Sequence, residues 1–235
     1  MNVLITGSSS GIGKGLVREY LSRGTQVYGI SRRMPEGFES FPDYHHLSMD
    51  LKDYDSVNTK LPEFLDGVNE FGLVVLNAGI LGEISFARSV LLEEMKRVME
   101  INVWANKFLL DMLFAEVDVI RQVVGMSSKA SLRSTPGWGP YSMSKAGLNM
   151  LMNIYAKEHT STHFIAFAPG LVDSEIQEEI YNIKDADKYP AAKRLQEARY
   201  TDLMPDANKA APMLIEGMKK ALEYESGSFV DVREI

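Results

Sequence analysis

Met1-Asn2-Val3-Leu4-Ile5-Thr6-Gly7-Ser8-Ser9-Ser10-Gly11-Ile12-Gly13 opens the chain, and its change of character part-way decides the fold. Val3-Leu4-Ile5 is apolar throughout, which is how a strand buried on both faces reads. Glycines and serines then replace the apolar run. Beyond them Ile12, Leu16, Val17, Tyr20 and Leu21 recur at helical spacing, with Gly24 as the stop. The order is strand, loop, helix. Glycine lets the backbone turn and approach a pyrophosphate without a Cβ in the way, and the helix start offers free N–H groups at a positive dipole end. The mononucleotide P-loop pattern fails, because Gly13-Lys14 is preceded at the required offset by Ser8 and followed by Gly15. The common G-x-G-x-x-G spacing fails as well, since Gly11-x-Gly13 leads to Leu16. What remains is G-x-x-x-G-x-G, which reads either as a dinucleotide loop or as a plain glycine-rich turn.

Further along, short apolar runs alternate with segments of helical period. The runs are Val3–Thr6, Gln26–Ile30, Tyr44–Ser48, Leu73–Leu76, Gln122–Met126, His163–Ala168 and Ser228–Asp231. Leu91–Phe114 and Tyr141–Glu158 carry amphipathic helical patterns. The alternation predicts an α/β fold, a single doubly wound, mostly parallel seven-stranded sheet with helices on both faces and ligands bound outside the carboxyl ends of the strands. No repeat or linker divides the chain, so residues 1–235 form one domain. Residues 174–204 break the pattern. They are charged, hold Tyr181, Tyr189 and Tyr200, and contain Pro190, and they read as a lid over the site or as a solvated surface excursion. The helix expected over Asp206–Tyr224 contains Pro212, which should kink its first turns or delay its start.

Composition narrows the function classes. Apolar residues make up 45% and charged residues 24% of the 235, an ordinary globular balance. The absence of cysteine excludes disulfides, thiolate metal sites and cysteine nucleophiles. A net charge of −7 makes nucleic acid a poor partner for the bulk field. The longest mostly apolar uncharged run, Leu73 to Gly82, is far short of a membrane span. A signal peptide cleaved from this N-terminus would remove the glycine loop, so a soluble cytoplasmic protein is expected. His159 and His163 are four apart but straddle a helix end and a strand start, and no metal site is expected.

Tyr141-Ser142-Met143-Ser144-Lys145 puts a phenol and an ammonium on one helix face. A free tyrosine ionises near about 10, and a fixed positive charge beside it favours the phenolate, giving a group that can trade protons near neutrality. A bare Y-x-x-x-K is commonly a surface pair. Here Ser128 stands thirteen residues before Tyr141, at the end of the run Gln122–Met126, where strand ends face the binding crevice.

With these motifs in order the chain resembles the short-chain dehydrogenase/reductase family in its short single-domain form. The resemblance rests on Thr6–Gly13, Asp50, Asn77-Ala78-Gly79, Asn102, Ser127-Ser128, Tyr141-x-x-x-Lys145 and Pro169-Gly170, and spans residues 1 to about 175 and the last strand. It implies a Rossmann-type fold and a catalytic set of Asn102, Ser128, Tyr141 and Lys145. Tyr141 would be the general acid/base, Lys145 would lower its pKa and bond the nicotinamide ribose, Ser128 would hold the substrate oxygen, and Asn102 would hold a relay water. The cofactor would lie on Gly7, Ser9, Ser10, Gly11, Ile12 and Gly13. Asp50 and Leu51 would flank the adenine, with Asn77, Ala78 and Gly79 supporting that wall, while Pro169, Gly170, Val172 and Ser174 would border the nicotinamide. Ser174 stands where the family often has Thr, and Leu76 where it often has a second Asn.

At the end of the second strand an NAD-binding chain commonly places an acid for the ribose 2′-hydroxyl. Here Ser31, Arg32 and Arg33 follow Ile30. A hydroxyl can bond a 2′-phosphate and Arg32 can clamp it, so NADP(H) is favoured over NAD(H), although Ser10 occupies a position that is basic in many NADP-binding relatives. The expected activity is the interconversion of a carbonyl and a secondary alcohol. The rivals are a catalytically silent nucleotide-sensing or regulatory protein on the same fold, and a sugar-nucleotide epimerase or dehydratase, for which the roughly 60 residues after Pro169-Gly170 are too few. The segment over residues 174–204 fits sterols, sugars, pterins or small ketones equally. A homodimer or homotetramer is expected through Leu91–Phe114 and Tyr141–Glu158, with Leu109, Met112, Leu148, Met152 and Tyr155 as surplus apolar surface.

Overall fold

Val3, Leu4 and Ile5 are fully buried, and the strand they form, β1 (Asn2–Thr6), lies inside a seven-stranded sheet. The computed structural model describes residues 1–235. After β1 come α1 (Gly11–Ser22), β2 (Gln26–Ser31), β3 (Tyr44–Ser48), α2 (Tyr54–Phe64), the short β4 (Glu70–Phe71) and β5 (Leu73–Leu76). The chain continues through α3 (Leu92–Met99), α4 (Ala105–Glu116), the short β6 (Val119–Ile120), β7 (Gln122–Met126), α5 (Gly139–Glu158) and β8 (His163–Ala168). It ends with α6 (Glu175–Tyr181), α7 (Pro190–Ala198), α8 (Ala207–Lys220) and β9 (Phe229–Asp231). The main sheet runs β3-β2-β1-β5-β7-β8-β9 with every neighbour parallel, and β4 and β6 pair separately. From β1 the chain works outward to β3 and then crosses back to β5 on the other side. That reversal opens a crevice between the carboxyl ends of β1 and β5.

Alternation along each strand divides the core between the two faces. Leu4, Val74, Leu76, Val123 and Phe164 pack with Leu109, Leu113, Leu148 and Met152 of α4 and α5. Val3, Ile5, Val75, Val124 and Ile165 pack with Leu16 of α1 and Leu214 of α8. Helices therefore cover both faces, as the uninterrupted apolar strands require.

Three sequence expectations change in detail. The single helix expected over Leu91–Phe114 is broken by a π-helical turn at Glu100–Trp104, between α3 and α4. The helix with Pro212 starts on schedule at Ala207, because the Asp206 carboxylate accepts the Asn208 and Lys209 N–H groups and caps it; Pro212 lies inside the helix and does not delay it. The side chains expected at an interface face the core instead. Leu109, Leu148, Met152 and Tyr155 are buried and Met112 packs against the same cluster, so the sheet absorbs all five. The outward face of these helices shows Trp104, Met143, Met150 and Ile154.

Residues 174–204 form α6, one 3₁₀ turn and α7. Ile180, Ala186, Tyr189 and Ala192 from this segment pack on Leu81, Trp138 and Tyr141. The segment leaves and rejoins the body at one place, where Asp173 and Asp206 form a parallel bridge and the Asp173 N–H donates to the Pro205 carbonyl at 2.9 Å.

Candidate active site

Thr6 ends β1 with its hydroxyl turned toward β5, where Oγ1 accepts the Asn77 N–H at 2.9 Å and the Ala78 N–H at 3.0 Å. Asn77 Nδ2 donates back to the Thr6 and Gly7 carbonyls at 3.0 and 3.3 Å. The two strand ends that bound the crevice are thereby locked together. Gly7 takes φ +64°, a conformation costly for any residue with a Cβ. A Cβ on Gly13 would collide with the Gly7 carbonyl oxygen and lie 2.7 Å from Asn77 Nδ2. The loop is thus as thin as backbone allows. Ser10 does not cap α1 with its side chain, and the helical ladder begins with Lys14 N–H to the Ser10 carbonyl at 3.0 Å. The first-turn N–H groups are left for an anion. Ser174 closes on this loop: a Cβ on Gly11 would lie 3.1 Å from Ser174 Cβ.

At the end of β2, Ser31 is buried inside a polar chain. Tyr44 donates to Ser8 Oγ at 3.2 Å, Ser8 donates to Ser31 Oγ at 3.1 Å, and Ser31 donates to the Arg33 carbonyl at 2.8 Å while His46 Nε2 lies 2.9 Å from it. Arg33 reaches Glu175 at 3.2 Å with both side chains exposed, whereas Arg32 is exposed and makes no ion pair. Asp50 accepts the Lys52 N–H at 3.2 Å, and Leu51 is buried in the core.

On the far side of the crevice α5 presents Tyr141 and Lys145, both buried. Lys145 Nζ donates to the Met126 carbonyl at 2.6 Å and lies 5.6 Å from the centre of the Tyr141 ring. Burial pushes the Tyr141 phenol up to about 12, with the Ser128 hydroxyl pulling the other way. Burial pushes the Lys145 ammonium down to about 8. Each group is thus driven toward its neutral form, and the expected lowering of the Tyr141 phenol by Lys145 is not met: burial outweighs the one downward pull, which comes from Ser128. Ser128 Oγ accepts the Ala130 N–H at 3.1 Å, which leaves its own proton to give. Gly79 faces the same point: a Cβ there would lie 3.1 Å from Asn102 Oδ1 and 3.4 Å from Lys145 Nζ.

The π turn is what brings Asn102 here, fully buried. Its side chain accepts the Ile80 N–H at 2.8 Å and donates to the Ile80 carbonyl and to Ser144 Oγ, each at 2.9 Å. Its own carbonyl accepts from Asn106 Nδ2 at 2.9 Å. Pro169, Gly170 and Val172 follow β8, and a Cβ on Gly170 would lie 3.5 Å from the Arg233 side chain. An open groove of about 410 Å³ lies outside the glycine loop along Gly11, Lys14, Arg18, Asp173, Arg199 and Asn208.

The family model described as short chain dehydrogenase matches residues 1–185. The chain belongs to the short-chain dehydrogenase/reductase family. A benzil reductase ((S)-benzoin forming) of Bacillus cereus is 30% identical over 196 residues, 76% of this chain and 78% of that one. The Bacillus subtilis (strain 168) benzil reductase ((S)-benzoin forming) is 25% identical over 240 residues, 98% of each chain. The crystal structure of a Saccharomyces cerevisiae short chain dehydrogenases/reductase superposes with a TM-score of 0.84 at 26% identity, covering 98% of this chain and 95% of that one. The protein is accordingly an oxidoreductase of carbonyl/alcohol type, and a nicotinamide dinucleotide is the cofactor this family binds. The thin glycine loop and the uncapped start of α1 fit such a group, since Gly13, with no room for a Cβ against the Gly7 carbonyl, lets the start of α1 close on the loop and leaves its first N–H groups free of a side-chain cap.

Short-chain dehydrogenase/reductase motifs do not mention several residues that build this site. Asn149 accepts from Ser127 Oγ at 2.5 Å and donates to Ser131 Oγ at 2.8 Å, and Ser131 in turn donates to the Ser128 carbonyl at 2.6 Å. The loop carrying Ser128 is thus tied to α5. Asn149 falls four residues after Lys145, on the same helix face, so its spacing was a usable signal. Ser144 and Asn106 gave none, because their roles depend on the π turn.

Proposed function

We propose that the protein is an NADP(H)-dependent oxidoreductase that interconverts a ketone and a secondary alcohol, with Tyr141 as general acid/base. The observation that carries this reading is the buried Tyr141–Lys145 pair set beside Ser128 and across the crevice from the glycine loop. When bound, the reduced cofactor supplies a hydride to the carbonyl carbon. Gly7, Ser9, Ser10, Gly11, Ile12 and Gly13 would hold its pyrophosphate side, Asp50, Leu51, Asn77, Ala78 and Gly79 its adenosine side, and Pro169, Gly170, Val172 and Ser174 its nicotinamide side.

The chain's own groups handle the oxygen and its proton. With its phenol pushed up to about 12, Tyr141 stays protonated at neutral pH and serves as a proton donor to the substrate oxygen. Ser128, whose oxygen already accepts the Ala130 N–H, donates to the same substrate oxygen. Lys145 spends one of its three protons on the Met126 carbonyl and keeps two for a ribose hydroxyl and for Tyr141. The Asn102 carbonyl accepts one bond from Asn106 and retains a lone pair for a relay water.

Exposed Arg32, free of any carboxylate partner, supports the 2′-phosphate. Ser31 contributes less directly than its position suggests, since its hydroxyl already donates to the Arg33 carbonyl. The wall beside Tyr141, from Leu81, Trp138, Ile180 and Tyr189, is apolar and aromatic. It suits an uncharged aromatic or branched ketone better than a sugar, and benzil heads the substrates to try. The exposed apolar face of α5 supports a homo-oligomer. The test is a panel of ketones and secondary alcohols, benzil included, with NADPH and NADH, followed at the nicotinamide absorbance. Turnover of an aromatic ketone with NADPH preferred is the expected result. Saturable cofactor binding without turnover of any member would overturn the reading.

A further inference from the structure

Trp138 caps the start of α5 three residues before Tyr141, and the two rings meet edge to face with centres 6.0 Å apart. Its place is held from the backbone. Trp138 forms a parallel bridge with Ser85, and the Ser85 N–H donates to the Gly137 carbonyl at 3.2 Å. The side chain is only 7% exposed, inside a cluster whose other buried members are Leu81, Tyr141, Ile180, Ala186, Tyr189 and Ala192. None of these carries a charge. Within that cluster the indole Nε1 is buried and has no hydrogen-bond partner. An indole N–H can only donate, buried tryptophans ordinarily find an acceptor for it, and an unpaired buried donor is a standing destabilisation that an incoming acceptor relieves.

Resting on the activity proposed above, we infer that the Trp138 N–H receives the second oxygen of a vicinal dicarbonyl substrate and so selects 1,2-diketones over simple ketones. The oxygen being reduced is served by the Tyr141 and Ser128 hydroxyls. A ketone oxygen on the adjacent carbon has no proton of its own and needs a donor on the same wall, which Trp138 provides. A simple ketone leaves that donor unpaired. In the reduction, one carbonyl carbon gains the hydride with its two electrons and its oxygen gains a proton from Tyr141. The second carbonyl is unchanged, so the products are an α-hydroxyketone and the oxidised cofactor, and solvent returns the proton to Tyr141. Ile180 and Tyr189 pack in the same cluster as Trp138, so in this proposal they shift to let the substrate oxygen reach the indole.

The experiment compares benzil with deoxybenzoin, which keeps both phenyl rings and replaces one carbonyl by CH2. Calorimetric titration into the protein saturated with oxidised cofactor, which has no hydride to give, reads binding apart from turnover. Initial rates with reduced cofactor follow. Two variants are used: Trp138→Phe, and site-specific replacement of the Trp138 indole by benzothiophene, which keeps the shape and removes only the N–H. The ratio of the benzil Kd to the deoxybenzoin Kd should rise by about tenfold in both variants, the scale of one lost hydrogen bond, and the ratio of kcat/KM values should fall in parallel. Equal loss for both ligands would mean that Trp138 only packs, and this would overturn the inference. So would an unchanged ratio in the benzothiophene variant, or failure of the wild-type protein to bind benzil. Benzil binding without turnover of any ketone would instead sink the proposed activity, while the Kd ratio would still decide the role of Trp138.

Discussion

Burial drives Tyr141 and Lys145 in opposite directions, the phenol up to about 12 and the ammonium down to about 8. Both effects can be tested. Tyr141→Phe keeps the ring and removes the proton; kcat should fall by roughly 10² to 10⁴ with cofactor affinity nearly unchanged, and activity within a few-fold of wild type would refute the assignment. Lys145 leaves a mark on stability. Its ordinary value is 10.5 and its folded value is about 8. Between those two values the unfolded chain holds a proton the folded chain has released, so stability climbs with pH across that window and is flat in this respect below it. Urea unfolding at neutral pH and near pH 10 should show wild type gaining about 1–3 kcal/mol relative to Lys145→Met; parallel curves for the two proteins would count against a buried ammonium. At the other end of the crevice, Arg32→Ala should weaken NADPH binding by about 1.5–3 kcal/mol, as expected for bonds to charged groups, and leave NADH almost untouched. Equal loss of both cofactors, or a wild-type preference for NADH, would show that Arg32 does not read a 2′-phosphate. The Ser31-Arg32-Arg33 triplet was legible as a basic strand end, but not the difference among its members. Only the folded chain sets Ser31 among Ser8, His46 and the Arg33 carbonyl, and Arg33 beside Glu175.

At the scale of elements, strands read more truly than helices. The runs Tyr44–Ser48, Leu73–Leu76, Gln122–Met126 and His163–Ala168 match observed strands end for end. For Leu73–Leu76, Gln122–Met126 and His163–Ala168, strands in the interior of the sheet, burial on both faces leaves few substitutes for a short apolar run, whereas Tyr44–Ser48 is the half-buried edge strand. The π turn at Glu100–Trp104 was not legible, because one extra residue per turn changes neither composition nor amphipathic pattern enough to see. Yet that turn places Asn102. The segment over residues 174–204 was legible as an exception but not as a structure. Besides its apolar cluster with Leu81, Trp138 and Tyr141, two side chains hold it together. Gln196 Nε2 donates to the Ile180, Tyr181 and Ile183 carbonyls at 2.9–3.1 Å. Arg199 bonds Asp173 at 3.0 Å and Glu178 at 2.5 Å, with the Tyr181 and Tyr200 rings 5.0 and 4.8 Å from its guanidinium. Tyr200, next in the chain, sits at φ +63°, the only residue other than glycine with positive φ. A strained residue beside the Arg199 ion pairs, at the point where the segment rejoins the body, is where a lid would release. Arg199→Leu should accelerate amide exchange across residues 174–204 by about 5- to 30-fold, equivalent to about 1–2 kcal/mol of local stability, with exchange in the sheet strands unchanged. Uniform acceleration throughout the protein would mean that Arg199 supports the whole fold and latches nothing.

For the whole molecule, the distribution of apolar surface bears on assembly. The α5 positions turned inward are Tyr141, Lys145, Leu148, Met152 and Tyr155, all buried. The positions turned outward include Met143, Met150 and Ile154, which are 57%, 59% and 43% exposed, and Trp104 at the π turn is 49% exposed. Met143, Met150 and Ile154 are spaced seven and four residues apart, which puts them in one stripe along the helix. Scattered exposed apolar residues need no explanation, but a stripe on one helix does. A second copy related by a two-fold axis would set this stripe against itself, since such an interface is self-complementary. The side chains that the sequence offered for a contact turn inward, because periodicity alone cannot say which apolar stripe faces the sheet when a helix carries two. The prediction therefore moves to the outward stripe. Light scattering at micromolar concentration should give a dimer or tetramer for wild type. Met150→Glu combined with Ile154→Glu should shift it toward monomer, because each copy would then face like charges stripped of water across the axis. Leu148→Ala, on the inward stripe, should cost about 2–5 kcal/mol of stability through the cavity it leaves without changing the assembly of the folded fraction. A monomeric wild type, or a double variant that assembles as well as wild type, would place the contact elsewhere.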